Sequence, residues 1–320
     1  MRACRNASFV FLFVSAFFAV PSGAAKLALP PETPVILEKI YSLDIAGAVE
    51  AAKRMEAERP EHPLGYLLEA EALWWRIWCT SAEFKYGMSD ARHRSKAEGD
   101  QHYYQLAAKA SSLAEAQINR HETAEMQFYA GMADATGARL YALRGENRNA
   151  ARAGVRARDH LARAKVLDAT LADADMGLGL YNYYVDTLSA MARVLRFFMG
   201  IPGGSKQEGV RLLEHAIADG VVTSSVARFY LALNLHRYDQ QYEKALTVIG
   251  PLAEKYASNP LFQLARGDLY AKLGRKEKAL ASYRAAGALK VQDSQCQAHV
   301  QGLVRVSIEA LNSTGAGKDR

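Results

Sequence analysis

Apolar and small residues recur along this chain at a spacing of plus four, then plus three. Ala48-Ala52-Met55, Ala157-Leu161-Ala164, Gly209-Leu213-Ala216, Ala245-Ile249-Leu252 and Ala279-Tyr283-Ala286 all obey it. That spacing is one face of an α-helix packed against a neighbour. Tyr66-Ala70-Leu73 and Leu178-Gly179 mark the helices that partner them. No stretch alternates with period two for long enough to predict a strand. The tetrapeptide Glu243-Lys244-Ala245-Leu246 returns as Glu277-Lys278-Ala279-Leu280, 34 residues on. Such a period reads as a helix-turn-helix unit stacked on its copies. A unit of that size cannot bury its apolar face alone, so its neighbours must complete each core.

The last unit is the clearest. Asn259-Pro260 supplies an N-cap side chain and a residue already fixed at helical φ. Gly267 and Tyr270 fall on the first helix, Gly274 at the turn, and Ala279, Tyr283 and Ala286 on the second. These positions resemble the tetratricopeptide repeat (TPR) pattern, strongly over 226–290 and more weakly towards the start. The unit from Val226 departs from it, with Leu233 in place of the small residue and His236 in place of the aromatic one. The resemblance implies an all-α, right-handed superhelical solenoid of antiparallel helix pairs. About five to six repeats are expected. Two or three are elongated, since the stretches from Pro63 to Arg120 and from Glu122 to Asp168 each leave room for two long helices. No Pro/Gly/Ser-rich break divides the array, so one domain is expected over 25–311. Residues 294–311 form its closing helix, and a polar tail of 312–320 is expected to be disordered.

The start of the chain reads as a secretory signal. Arg2 and Arg5 precede the 12-residue apolar run from Phe9 to Val20, and small residues follow for cleavage after Ala24 or Ala25. Twelve residues fall short of the roughly 20 that a spanning helix needs. A periplasmic or secreted protein is expected. Loss of residues 1–24 removes two Arg and no acid, so the net charge falls from +6 to +4. That mild excess does not point to nucleic acid, and the Arg residues between Arg148 and Arg163 read as solvated helix faces. Cys4 leaves with the signal. Cys79 and Cys296, over 200 residues apart, are expected at opposite ends of the array as two separate buried thiols.

In TPR arrays the first helices line the concave face where partners lie. Carried over by position, the inward residues are Tyr183 and Tyr184 in one unit, Tyr230, Asn234, Arg237 and Tyr238 in the next, and Asp268 and Lys272 in the last. Tyrosine gives contact area at low entropy cost, and Asn or Arg can fix a backbone or carboxylate. Trp74 and Trp75 hold the matching positions near the start, either lining a pocket or packing an N-terminal core. The apolar insert from Asp186 to Gly204 fits three roles: covering the groove, forming a dimer, or resting on lipid without spanning it. A capping box, Ser205-x-x-Glu208, starts the helix that follows.

No motif for catalysis emerges. His121-Glu122 begins like a zinc-protease helix, but Glu125 stands where the second His is required. The polar loop from Lys85 to Asp100 holds metal-capable side chains without ligand spacing. No cofactor or metal site is expected. Two functions fit. The first is a non-enzymatic scaffold that binds a protein or peptide segment on its concave face. The second is a periplasmic binder of a small or lipidic ligand in an aromatic cavity, accessory to transport or envelope maintenance.

Overall fold

The plus-four, plus-three faces do lie on helices. The computed structural model describes residues 27–81, 97–188 and 202–315. Residues 1–26, which hold the expected signal, most of the 85–100 loop, the centre of the 186–204 insert and the last five residues lie outside them. Thirteen helices occupy the described residues, in chain order α1 (Thr33–Tyr41), α2 (Ile45–Glu58), α3 (Pro63–Ser81), α4 (Asp100–Arg120), α5 (Ala124–Leu143), α6 (Asn147–Leu167), α7 (Asp173–Asp186), α8 (Lys206–Asp219), α9 (Ser224–Arg237), α10 (Tyr242–Lys255), α11 (Pro260–Lys272), α12 (Lys276–Ala288) and α13 (Ser294–Gly315). No strand is present among the described residues. The closing helix runs four residues past Leu311.

Local chemistry sets the helix ends. Asn259 Oδ1 accepts from Leu261 N at 2.9 Å to start α11, and Ser205 Oγ accepts from Glu208 N at 3.4 Å to start α8. Asp173, at the head of α7, is buried and takes the backbone N–H groups of Val221, Val222 and Thr223 at 2.8–3.1 Å. It thereby ties α7 to the loop between α8 and α9. A carboxylate held by three N–H groups is a strong joint, because its charge is fully solvated by the backbone.

Each helix packs on the next, and the layers differ. The even-numbered helices from α2 to α12 make their main contacts with their sequence neighbours. The odd-numbered ones also meet one another, α3 with α5, α5 with α7, α7 with α9 and α11 with α13. Helix α3 then packs on α13, so the inner layer returns on itself.

That return overturns the expectation for the cysteines. Cys79 and Cys296 form a disulfide between α3 and α13, with Cα atoms 5.2 Å apart. Sequence distance misleads here because the array curves until its ends touch. Arg76 Nε lies 2.8 Å from Asp293 Oδ2 beside the disulfide. Asn259 Nδ2 donates to the Tyr41 carbonyl at 2.8 Å. The centre of the seam is aromatic. The Trp75 ring lies 4.9 Å from Phe229, 5.5 Å from Phe262 and 5.7 Å from Tyr41.

Near the start of the chain a close helix crossing creates an unusual pair of acids. Gly65 admits α3 so near to α2 that a Cβ there would stand 2.8 Å from Glu56 Cγ. One turn along α3, Glu69 is buried, 2.8 Å from His102 Nε2 and 3.7 Å from Lys53 Nζ. Glu56 lies against it. Burial, and then the Glu69 carboxylate, raise the Glu56 pKa from 4.5 to about 8.

Two outcomes follow from this architecture. Cys79→Ser removes a cross-link spanning 217 residues. Chain-entropy arguments give that about 5 kcal/mol, so the urea midpoint should fall markedly. Burying the three Trp of α3 contributes roughly 4–6 kcal/mol each, so the seam should stay shut and Trp emission should stay blue in the folded variant. A red-shifted native emission would mean that the disulfide alone closes the array. For Glu56, between pH 4.5 and 8 the unfolded chain loses a proton that the folded chain keeps, so stability falls as pH rises through that window. Glu56→Gln should flatten this slope relative to the unchanged protein. The comparison must be between the two proteins, because His236, its pKa lowered to about 4 chiefly by burial, adds a slope of opposite sign at lower pH. Identical pH profiles would show Glu56 ionised in the fold.

Candidate functional site

The inner layer collects nearly all of the aromatic residues that the sequence singles out. Trp74 and Trp75 on α3 are 3% and 1% exposed. They face the residues of α9 rather than a free groove. Trp74 Nε1 donates to the Tyr230 hydroxyl at 3.1 Å. Trp75 Nε1 donates to Glu71 Oε1 at 2.9 Å.

Around this contact lies a charged network that sequence reasoning missed. Arg139, on α5, holds Glu71 Oε2 through Nη1 at 2.6 Å and donates from Nε to the Tyr103 hydroxyl at 2.6 Å. Tyr103 passes its own proton towards the Thr136 carbonyl at 3.2 Å. The guanidinium sits 4.7 Å over the Trp74 ring. Burial opposes its charge, but the Glu71 carboxylate and the Tyr103 and Tyr230 phenols more than offset that, and its pKa is raised. Burial likewise pushes the Tyr103 and Tyr230 phenols up. A signal was present in the sequence: Glu71 and Arg139 are charges on helix faces otherwise apolar or small. Their linkage is structural. A salt bridge with phenolic hydrogen bonds lets two charges sit between α3 and α5.

A second cluster forms where α7 and α9 end. Here the structure brings together five of the residues picked out by position. Tyr183 is fully buried and its hydroxyl donates to Asp239 Oδ2 at 2.8 Å. The same hydroxyl lies 3.2 Å from the Asn234 carbonyl. Lys206 Nζ reaches Asp239 Oδ1 at 2.5 Å and lies 5.4 Å from the Tyr183 ring centre, so its charge is already balanced. Tyr184 donates its hydroxyl proton to Asn234 Oδ1 at 3.1 Å. Tyr238 stands 6.0 Å from Tyr183 and 6.3 Å from Tyr184, 40% exposed. Arg237 lies 4.9 Å over the Tyr238 ring.

The polar ledger of this cluster does not close. Asn234 is 2% exposed, and its Nδ2 has no hydrogen-bond partner. Arg237 is half-buried and makes no ion pair among the described residues. Burial, and then the neighbouring Tyr230 and Tyr238 phenols, push the Tyr184 phenol well above its ordinary range, while Asn234 and Arg237 pull the other way. Tyr184 is therefore a neutral hydroxyl whose proton is spent on Asn234.

The remaining inward positions lie elsewhere. Asp268 is buried and accepts from the Tyr283 hydroxyl at 2.6 Å, joining α11 to α12. Lys272 is exposed at the end of α11. Two open surface grooves lie outside the inner layer. One of about 620 Å³ runs beside Lys206, Glu214 and Lys244, and the ion pairs Lys206–Asp239 and Lys244–Glu214 cross it. The other, about 590 Å³, lies between Arg59, His62, Arg120 and Glu125. Among the described residues no group of three His, Cys, Asp or Glu is placed to hold a metal, and no helix is long and apolar enough to cross a membrane.

No family model matches the chain, and no curated protein matches it in sequence. The site's own chemistry must carry the functional argument.

The charged network makes one outcome specific. Arg139→Met strands the Glu71 carboxylate between α3 and α5 and should cost about 3–5 kcal/mol in urea unfolding. Adding Glu71→Leu to Arg139→Met should recover more than half of that loss. If the double variant is as unstable as the single one, packing volume rather than charge pairing holds this contact.

Proposed function

We propose that the protein is an exported, non-catalytic binding protein of TPR-like construction, which holds a small organic or lipidic ligand at the Tyr184–Asn234–Arg237–Tyr238 cluster. The observation that carries this reading is the unbalanced polar ledger there. A buried amide donor with no partner costs about 1–3 kcal/mol. Such a donor calls for an explanation, and a ligand that accepts its hydrogen supplies one. Tyr238 adds an exposed aromatic face, and Arg237 a charge with no ion pair among the described residues.

An extended peptide on the concave face fits less well. Much of that face is occupied by the chain's own α3, whose Trp74 and Trp75 cover Phe229 and Tyr230. The seam that puts them there is cross-linked. A small ligand needs only the end of the inner layer, where α7 and α9 finish. Export of the chain rests on its leader-like first residues, and a role in transport or envelope upkeep would suit a carrier placed there.

The test is native mass spectrometry of the full chain isolated from its host, beside the Tyr184→Ala, Arg237→Glu double variant. The unchanged protein should carry an added small mass that the variant lacks, with both equally helical by circular dichroism. A protein partner captured by the unchanged chain and lost by the variant, with no small mass, would replace this reading with peptide docking.

A further inference from the structure

The cluster at the ends of α7 and α9 also says which kind of ligand it takes. This inference rests on the small-ligand reading above. We propose that the site selects an organic monoanion, a carboxylate carried on an apolar or aromatic body.

The argument is a count of the groups facing the site from each element. From α7 come the Tyr183 and Tyr184 phenols, neutral at neutral pH as any phenol is and held more firmly so by burial, and Asp186. The Asp186 carboxylate is engaged: it accepts from the Lys206 backbone N–H at 2.9 Å, where the positive end of α8 balances it. From the start of α8, Lys206 is spent on Asp239. From α9 and the turn after it come Asn234, His236, Arg237, Tyr238 and Asp239. His236, with its pKa lowered to about 4, is neutral at neutral pH. Asp239 holds Lys206 and Tyr183. Among the described residues three groups then remain without hydrogen-bond or ion-pair partners: the Asn234 Nδ2 amide, the Arg237 guanidinium and Nε2 of the neutral His236 imidazole, and the first two are donors in any state.

Arg237 sits in the last turn of α9, where a cation can serve the helix's own terminal carbonyls. Those carbonyls are largely satisfied. Asn234 O accepts from Tyr238 N at 2.9 Å, and Leu235 O from Gln241 N at 2.9 Å. Among the described residues nothing else takes up the guanidinium. One free positive charge beside one free amide donor matches a single carboxylate, whose two oxygens can take both. A dianionic phosphate would bring a second charge, which would have to draw on Lys272, a cation near His236 and not one of the two donors. The Tyr184 and Tyr238 rings supply walls for an apolar or aromatic body.

The test uses the full chain, stripped of bound material by mild organic extraction, and isothermal titration. The probes are 4-phenylbutyrate and dodecanoate, each beside its uncharged amide, and dodecyl phosphate. At least one carboxylate should bind about ten-fold or more tightly than its amide, the scale of one charged hydrogen bond. Arg237→Gln should abolish that preference while leaving amide binding within about two-fold, and Asn234→Ala should reduce it. If Arg237→Gln does not fold, Arg237→Lys serves instead, with a several-fold loss expected because the planar fork is gone. Equal affinity for carboxylates and amides would overturn anion selection and leave the small-ligand reading standing. Tighter binding of dodecyl phosphate would overturn the monoanion. If no probe binds and native mass spectrometry finds no added small mass, both readings fall together.

Discussion

The docking of α3 against α9, α11 and α13 is the constraint on which the inner layer depends. Residues 41–79 meet residues 229–296 there, through Tyr41, Trp75, Phe229 and Phe262 at the centre and Cys79–Cys296 at the edge. The three Trp of α3 together bury enough apolar surface to outweigh the entropy that one disulfide removes from the unfolded chain. The disulfide is therefore a lock on a seam that hydrophobic packing already closes. Because both sulfurs are buried, it is also shielded from thiols in solution.

That closure decides what the inner face can be. Helices in a stacked array expose their inner face unless something fills it, and here the chain fills much of it with its own N-terminal helices. Large aromatic side chains do this at little entropy cost, since each has only two rotatable bonds to freeze. Where charges are drawn in with them, they come paired: Glu71 with Arg139, and Asp100 with Arg144 in a bidentate contact at 2.7 Å. Leaving either partner alone would be far more costly than replacing both. Single atoms within such groups still go without a partner, Arg139 Nη2 and Arg266 Nε as well as Asn234 Nδ2, but beside Asn234 stands a guanidinium with no ion pair among the described residues.

The helices were legible in the sequence because their signals are local. The plus-four, plus-three faces, Asn259-Pro260 and the Ser205 capping box each act within a few residues, and each sits where its spacing predicts. The long helices from Pro63 to Arg120 and from Glu122 to Asp168 followed from length alone. The meeting of Cys79 with Cys296 was not legible, because curvature is a sum of small rotations between successive pairs that no single residue encodes. For the same reason the sequence could place Trp74 and Tyr230 each on an inner helix but could not place them within hydrogen-bonding distance of each other. Arg139 was missed because its role exists only once α3 and α5 cross.

The candidate site shows the same division. Tyr184, Asn234 and Arg237 were picked by helical phase, and phase does put Tyr184 opposite Asn234, since first helices of neighbouring units lie side by side. What phase cannot give is which polar atoms are already used. Asp268 and Asn234 hold corresponding positions, 34 residues apart, and the pattern treats them alike. Asp268 is committed to Tyr283 on the next helix. The helix after Asn234 carries Ile249 at the position of Tyr283, which has no hydroxyl to offer. Asn234 instead meets a tyrosine from the preceding unit, which takes its oxygen and leaves its amide hydrogens free. A single difference of side chain between two positions 34 residues apart thus separates an internal tie from a buried donor without a partner, and the proposed site rests on that difference.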